Sequence, residues 1–321
     1  MANDKDFGGA GDEGFSVGRS RWVDLDGPVH YLDYDGAEDG PTVVCVHGLG
    51  GSSVNWSAVA PLLAKRCRLV AVDLPGHGLT WAHGRKTGVP ANRELLHRFV
   101  REVIGRPVIL LGNSMGGMIS LLQAAVEPAD VAGLVLISPA VPLAPGRPDP
   151  LVTAMFAAYS TPILGRSLLA ARHRLLKPEK AVDMMLQLCT VDATRVPIEV
   201  VKEHHAMARA RAHYPGASKD FLIAARSVVR TIADVRAGGY RKIIRSVTAP
   251  TLLIHGDHDR LVNIAAARAA ARANPDWSLV VLADAGHVPM LEWPAEVEST
   301  VDQWLDEAGQ DAARLASAAA G

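Results

Sequence analysis

Cysteine is scarce in this 321-residue chain: Cys45, Cys67 and Cys189 cannot all pair among themselves, and none falls in Cys-x-x-Cys or another metal-ligand spacing. A disulfide-stapled fold is therefore excluded, and a reducing, cytoplasmic setting is the expectation. Charge of one sign is also missing. Lys plus Arg total 33 against 34 for Asp plus Glu, and no segment concentrates either. That balance leaves no electrostatic footprint for nucleic acid or an anionic membrane, so the expected partner is a small neutral molecule. No apolar run reaches the length needed to span a bilayer. The first residues, MANDKDFGGAGDEGFSVGRS, are Gly-rich and acidic without the apolar stretch of a signal peptide, so 1–20 reads as a disordered leader on a soluble protein. Internal repeats are absent. At 34.1 kDa the chain can bury a full core, or a core plus an inserted subdomain.

What is present is an alternation. Trp22 to Tyr34 reads as two short strands around Asp26-Gly27, a dipeptide suited to a tight turn with positive φ. Four apolar runs follow, TVVCVHG from Thr42, RLVAVDL from Arg68, PVILLGN from Pro107 and AGLVLIS from Ala132. Such unbroken runs suit strands covered on both faces of a parallel sheet. Helical patterns separate them: VNWSAVAPLLAK, ANRELLHRFVREVI and MGGMISLLQAAV. The rhythm returns late, with TLLIHGD from Thr251, a helix over Ile264 to Ala273, LVVLAD from Leu279 and a closing helix from Pro294. The fold class is thus α/β, a mostly parallel wound sheet flanked by helices. Residues 21–140 and 249–308 form its core. Residues 141–248 show helical patterns and no strand, and read as an inserted helical cap; 309–321 is an Ala-rich tail that extends or frays the last helix.

The chemistry concentrates where strands end. Gly112-Asn113-Ser114-Met115-Gly116 lies directly between an apolar strand and a helix, the context a Gly-x-Ser-x-Gly nucleophile elbow requires. A one-residue turn from strand to helix strains Ser114, and the flanking glycines remove Cβ atoms that would collide there. The serine hydroxyl then projects from the carboxyl edge of the sheet, where open α/β sheets bind ligands. The Met115 N–H sits at a helix N-terminus, suited to a developing oxyanion. His47-Gly48-Leu49-Gly50-Gly51, also after a strand, offers the Leu49 N–H as second donor, with His47 as a brace for that loop.

A base is expected at the same edge, and Ala285-Gly286-His287 follows the last strand, which selects His287. The acid should follow the strand from Thr251, where His255-Gly256-Asp257-His258-Asp259 offers two aspartates. The same cluster has the look of a metal site, but no further ligands stand at matching spacing, so neither metal nor cofactor is expected. In the cap, Met155, Phe156, Met184, Met185 and Leu188 could line an apolar pocket, although helical spacing favours packing. His204 and His205 are expected on a solvated face.

Taken together, HGLGG, DLPGHG (Asp73 to Gly78), GNSMGG, HGDHD and GHVPMLEWP (Gly286 to Pro294) resemble the α/β-hydrolase superfamily, over about Trp22 to Leu305. The resemblance implies a capped serine hydrolase in which Asp259, rather than Asp257, is the acid, and in which Asp73 and His77 are structural. It implies acyl transfer on a small apolar carboxylic ester, in the manner of carboxylesterases and lipases, with no cofactor. Serine at the elbow argues against the haloalkane dehalogenases and epoxide hydrolases of this fold, which need a carboxylate. The alternative is carbon-carbon bond hydrolysis of a ring-cleavage product, whose enzymes usually carry tryptophan after the histidine, where Val288 stands here. A perhydrolase or haloperoxidase side activity, or a ligand receptor on a hydrolase fold, are further readings.

Overall fold

Nearly continuous runs of valine, leucine and isoleucine are tolerated only where both faces are covered, and here they form the middle of one sheet. The structure, a computed structural model, describes residues 18–142, 149–234 and 239–318, with side chains in the last helix described to residue 307. Its eight strands are β1 (Arg19–Asp24), β2 (Pro28–Gly36), β3 (Thr42–Val46), β4 (Arg68–Val72), β5 (Val108–Asn113), β6 (Val131–Ile137), β7 (Thr251–Gly256) and β8 (Ser278–Leu282). They lie in the order β1-β2-β4-β3-β5-β6-β7-β8. β2 runs antiparallel to both β1 and β4, and the remaining neighbours are parallel. Every residue of β3, β5 and β7 is buried. The expected hairpin closes through Asp26 at φ 56° and Gly27 at φ 117°. Its first strand takes in Arg19 and Ser20, which pair with Asp33 and Leu32, so the leader boundary expected at residue 20 moves back; residues 1–17 lie outside the described residues.

Helices α2 (Val89–Arg98), α3 (Met115–Val126), α10 (Ile264–Ala273), α11 (Pro289–Glu292) and α12 (Pro294–Ala318) accompany the sheet. α2 continues through a π-type turn over Phe99–Ile104, which ends at Gly105 with φ 72°. One expectation is corrected. The helical pattern over 54–65 forms a 3-10 turn at Ser53–Trp56 and a separate short α1 at Ala60–Leu63. Pro61 is the reason: it has no N–H to give to an earlier carbonyl and fits only the first turn of a helix, so the helix restarts there.

Between β6 and β7 run α4 (Pro150–Ser160), α5 (Pro162–Leu175), α6 (Pro178–Cys189), α7 (Ile198–Ala212), α8 (Ala217–Ala233) and α9 (Gly239–Arg245). α9 packs against α3 and buries Tyr240 and Ile244 in the apolar cluster shared by α3 and the sheet, so the chain rejoins the sheet layer before residue 249. His204 and His205 differ from expectation, since both are half-buried. His204 donates from Nδ1 to the Val200 carbonyl at 2.8 Å, and His205 Nε2 meets Asp183 of α6 at 2.8 Å, which ties α7 to α6. The proposed pocket residues disperse: Met155 packs with Tyr159 and Leu222, Met185 packs under the sheet, and Met184 is exposed.

The loop after β4 is organised by one carboxylate. Asp73 is fully buried and accepts from His30 Nδ1 at 2.7 Å, Ser53 N–H at 2.6 Å and Leu79 N–H at 2.8 Å. Burial alone would raise this carboxyl, but the His30 hydrogen bond and the other partners hold it below the ordinary range. Arg211, at the end of α7, donates to the Gly76 and Gly78 carbonyls at 2.8 and 3.0 Å and fastens α7 to the same loop. A carboxyl depressed in the folded state contributes stability above its unfolded value, and that contribution is lost as pH falls through the folded value. Asp73→Asn is therefore expected to cost about 3 kcal/mol near neutrality. The gap from wild type should narrow below about pH 4, as read by urea midpoints across that range.

Candidate active site

The site begins with an uncomfortable backbone. Ser114 follows β5 and precedes α3 at φ 54° and ψ −116°, a region that L-residues rarely occupy. Two hydrogen bonds pin it: Ser114 N–H donates to the Ile137 carbonyl at 3.1 Å, and the Ser114 carbonyl accepts from Ala140 N–H at 2.9 Å. Gly116 supplies the close approach of α3 to β3, because a Cβ there would overlap the Val46 carbonyl oxygen. The HGLGG loop abuts this elbow. A Cβ on Gly48 would come within 3.1 Å of the Ser114 Cβ.

Histidine 47 braces that loop as expected. Its Nδ1–H donates to the Gly48 carbonyl at 2.8 Å and its Nε2 accepts from Leu74 N–H at 3.1 Å, and burial holds its imidazole below the usual range, so it stays neutral. The Gly48 carbonyl also accepts from Gly51 N–H at 3.1 Å. Because the 48–49 peptide is trans, a carbonyl turned to His47 and Gly51 directs the Leu49 N–H the opposite way. Met115 is the first residue of α3, so its N–H has no acceptor within the helix.

Across the sheet edge, His287 is buried and its Nδ1–H donates to Asp259 Oδ2 at 2.8 Å. Asp259 Oδ1 accepts from Leu261 and Val262 N–H at 2.8 and 3.0 Å. Burial would raise this carboxyl, but the charge and hydrogen bond of His287 outweigh it, and the group stays below the ordinary range and ionised. Asp257 is turned away. It pairs with the exposed His258 at 2.7 Å. His255 points inward and donates from Nε2 to the Val262 carbonyl at 2.8 Å, so the two histidines of HGDHD diverge. Asn113 joins the serine to the histidine, since its Nδ2 donates both to the Ile137 carbonyl at 3.1 Å and to the His287 carbonyl at 3.2 Å.

Sequence reasoning missed a second carboxylate. Glu292, at the end of α11, is buried and accepts from Gly286 N–H at 2.9 Å through Oε2, and from Val191 and Asp192 N–H at 2.8 and 2.9 Å through Oε1. It holds the residue before His287 against the segment after α6, where the Cys189 carbonyl accepts from His287 N–H at 2.6 Å. Arg195 adds to this clamp, donating to the Asp284 carbonyl at 2.8 Å and carboxylate at 2.5 Å and lying 4.5 Å from the Trp293 ring. The available signal was an acid wedged in the apolar stretch Met290-Leu291-Glu292-Trp293.

A sequence profile described as the alpha/beta hydrolase family matches residues 43–300. The chain belongs to this family. As a member it is a hydrolase whose eight-stranded, mostly parallel sheet is that of its relatives. It is 22% identical to monoacylglycerol lipase ABHD6 of Homo sapiens over 268 residues, 83% of this chain and 75% of that one. It is 28% identical to pimeloyl-[acyl-carrier protein] methyl ester esterase of Nitrosospira multiformis over 261 residues, 80% of this chain and 91% of the esterase. Among solved structures, a membrane phospholipase A described as a bacterial virulence factor is 26% identical with a TM-score of 0.71, covering 90% of this chain and 86% of the other. No helix among the described residues of this hydrolase is long and apolar enough to cross a membrane.

Replacing Glu292 by Gln sets an NH₂ group against backbone N–H donors. The expected cost is about 2–3 kcal/mol of stability, with faster hydrogen exchange at the amides of Gly286, Val191 and Asp192. Unchanged protection at those three amides would show that the carboxylate does not hold the loop.

Proposed function

We propose that this hydrolase cleaves small, apolar carboxylic esters by acyl transfer through Ser114, His287 and Asp259. The observation that carries the reading is the buried His287–Asp259 pair, tethered by its His287 carbonyl to Asn113, the residue before a strained serine. In this mechanism His287 takes the proton of Ser114 through Nε2 as the hydroxyl attacks the carbonyl carbon. Asp259, ionised and hydrogen-bonded to Nδ1, fixes the tautomer and stabilises the imidazolium. The Leu49 and Met115 N–H groups receive the oxyanion. His287 then protonates the leaving alcohol and activates water to release the acid.

The ester class is supported by two named relatives, a monoacylglycerol lipase and a methyl ester esterase. Apolar surroundings support it too: Leu49, Met155 and Phe221 all pack against a cluster that includes Tyr159 of α4 and Leu222 of α8. In this reading α4 to α8 form the cap and the acyl group lies on its inner face. Carbon-carbon hydrolysis gains nothing comparable, since Val288 is buried beneath the sheet where those enzymes usually carry tryptophan.

Ser114→Ala is expected to lower kcat/KM on short p-nitrophenyl esters by at least about 10⁴-fold without altering the fold. Asp259→Asn should lower it by about 10³–10⁴-fold. Asp257→Asn, which changes an exposed pair, should stay within about threefold of wild type. Activity of Ser114→Ala within tenfold of wild type would defeat the assignment, and so would wild-type turnover confined to a dienoic ring-cleavage product.

A further inference from the structure

Four of the eleven large apolar side chains left exposed among the described residues lie on α5. This helix turns Gly165 and Leu169 inward against α4 and α8. Its outer face carries Leu164, Leu168, Ala171 and Leu175 at the spacing i, i+4, i+7, i+11, which is a single stripe on a helix, with Ile163 beside it. Ile163 is 81% exposed, Leu175 77%, Leu164 53% and Leu168 41%. Isolated exposed leucines need no explanation, but a continuous stripe along one helix marks a surface that something covers.

The charge on this segment identifies the cover. No aspartate or glutamate occurs between Asp149 and Glu179, whereas Arg166, Arg172, Arg174 and Lys177 do. Arg166, Arg174 and Lys177 are exposed and have no carboxylate partner among the described residues. In a chain of net charge −1 this is a local cationic excess. A second copy of the chain docked through α5 would set these cations against their own kind, which disfavours a symmetric pair. An apolar stripe bordered only by cations is complementary to a surface that is apolar below and anionic on top.

We propose that α5 docks this hydrolase on an anionic lipid surface. The helix lies in the plane of the interface with Ile163, Leu164, Leu168 and Leu175 entering the boundary between headgroups and acyl chains. Arg166, Arg174 and Lys177 bury their alkyl stems and reach lipid phosphates. The proposal goes beyond the reaction at Ser114 and does not depend on it, because none of these side chains belongs to the site.

The test is co-sedimentation of the full chain with vesicles of phosphatidylcholine alone and of phosphatidylcholine mixed with phosphatidylglycerol. Binding to the mixed vesicles is expected to be at least about tenfold stronger and to fall with added salt. The double variant Leu164→Glu, Leu175→Glu should lose binding, and the triple variant Arg166→Ala, Arg174→Ala, Lys177→Ala should lose the preference for anionic lipid. Both should keep the wild-type melting temperature and the wild-type turnover of soluble p-nitrophenyl esters. Failure of the wild type to sediment with mixed vesicles, or equal binding to both kinds, would overturn the proposal. So would a concentration-dependent dimer in sedimentation velocity that Leu164→Glu, Leu175→Glu disperses, which would assign the stripe to a second copy. Loss of soluble-ester turnover in Ser114→Ala leaves these outcomes untouched, so the two readings fail separately.

Discussion

The left-handed backbone at Ser114 is the constraint around which the sheet edge is arranged. A residue held at φ 54° and ψ −116° costs on the order of 1–3 kcal/mol and persists only where its neighbours leave no alternative. Here β6 supplies the acceptor for Ser114 N–H through Ile137, and the chain just beyond it, at Ala140, donates to the Ser114 carbonyl. On the other side β3 allows α3 to close in because residue 116 has no side chain. Three parallel neighbours, β3, β5 and β6, are thus fixed in register by the turn they surround. The strain is met by backbone hydrogen bonds and packing, which leaves the serine side chain uncommitted.

Two buried carboxylates do for the loops what the sheet does for the elbow. Asp73 and Glu292 each accept from several donors, most of them backbone N–H groups. Burying a charge is costly unless it is hydrogen-bonded, so each acid forces its surrounding loop into the one shape that satisfies it. Asp73 shapes the loop after β4, to which Arg211 attaches α7. Glu292 shapes the loop that bears His287 and holds it against the end of α6. The helices between β6 and β7 are therefore tied to both flanks of the site by charged groups that perform no chemistry themselves.

These arrangements were unequally legible in the sequence. Apolar runs located β3 to β8 to within two residues, because a strand covered on both faces leaves little polar period to misread, whereas β1 and β2 were read from the Asp26-Gly27 turn and β1 begins three residues before Trp22. Ser114 and His287 could be named because a strand end next to a glycine is a local signal. Asp259 and Asp257 could not be separated by spacing alone, and only their burial, one beneath His287 and one at the surface, distinguishes them. Glu292, Arg195 and Asn113 were not legible as site residues, since they have partners distant in sequence: Val191 and Asp192 for Glu292, Asp284 for Arg195, His287 for Asn113. Helix patterns misled where proline intervened, as at Pro61, and where half-buried histidines looked like surface residues. Composition misled about charge, since a net value near zero averages away the acid-free stretch that contains α5.

The insertion is not held uniformly, and the difference has a direction. α6 and α7 bury Leu186, Cys189 and Val200 in the apolar cluster beneath the sheet, and α8 buries Ala224 and Val228 in the cluster on its other side. α4 and α5 reach neither. Of their buried side chains, Tyr159 and Leu169 belong to a small cluster shared with Leu222 and Ala225 of α8, and Val152 joins neither large cluster. Elements with few buried apolar contacts open at lower free-energy cost than the core, so the α4–α5 pair is the part of the insertion that yields first. Leu49 packs against that same small cluster and against the larger one that holds Ala224 and Val228, whereas the Asp259–His287 pair is anchored through Glu292 and α6.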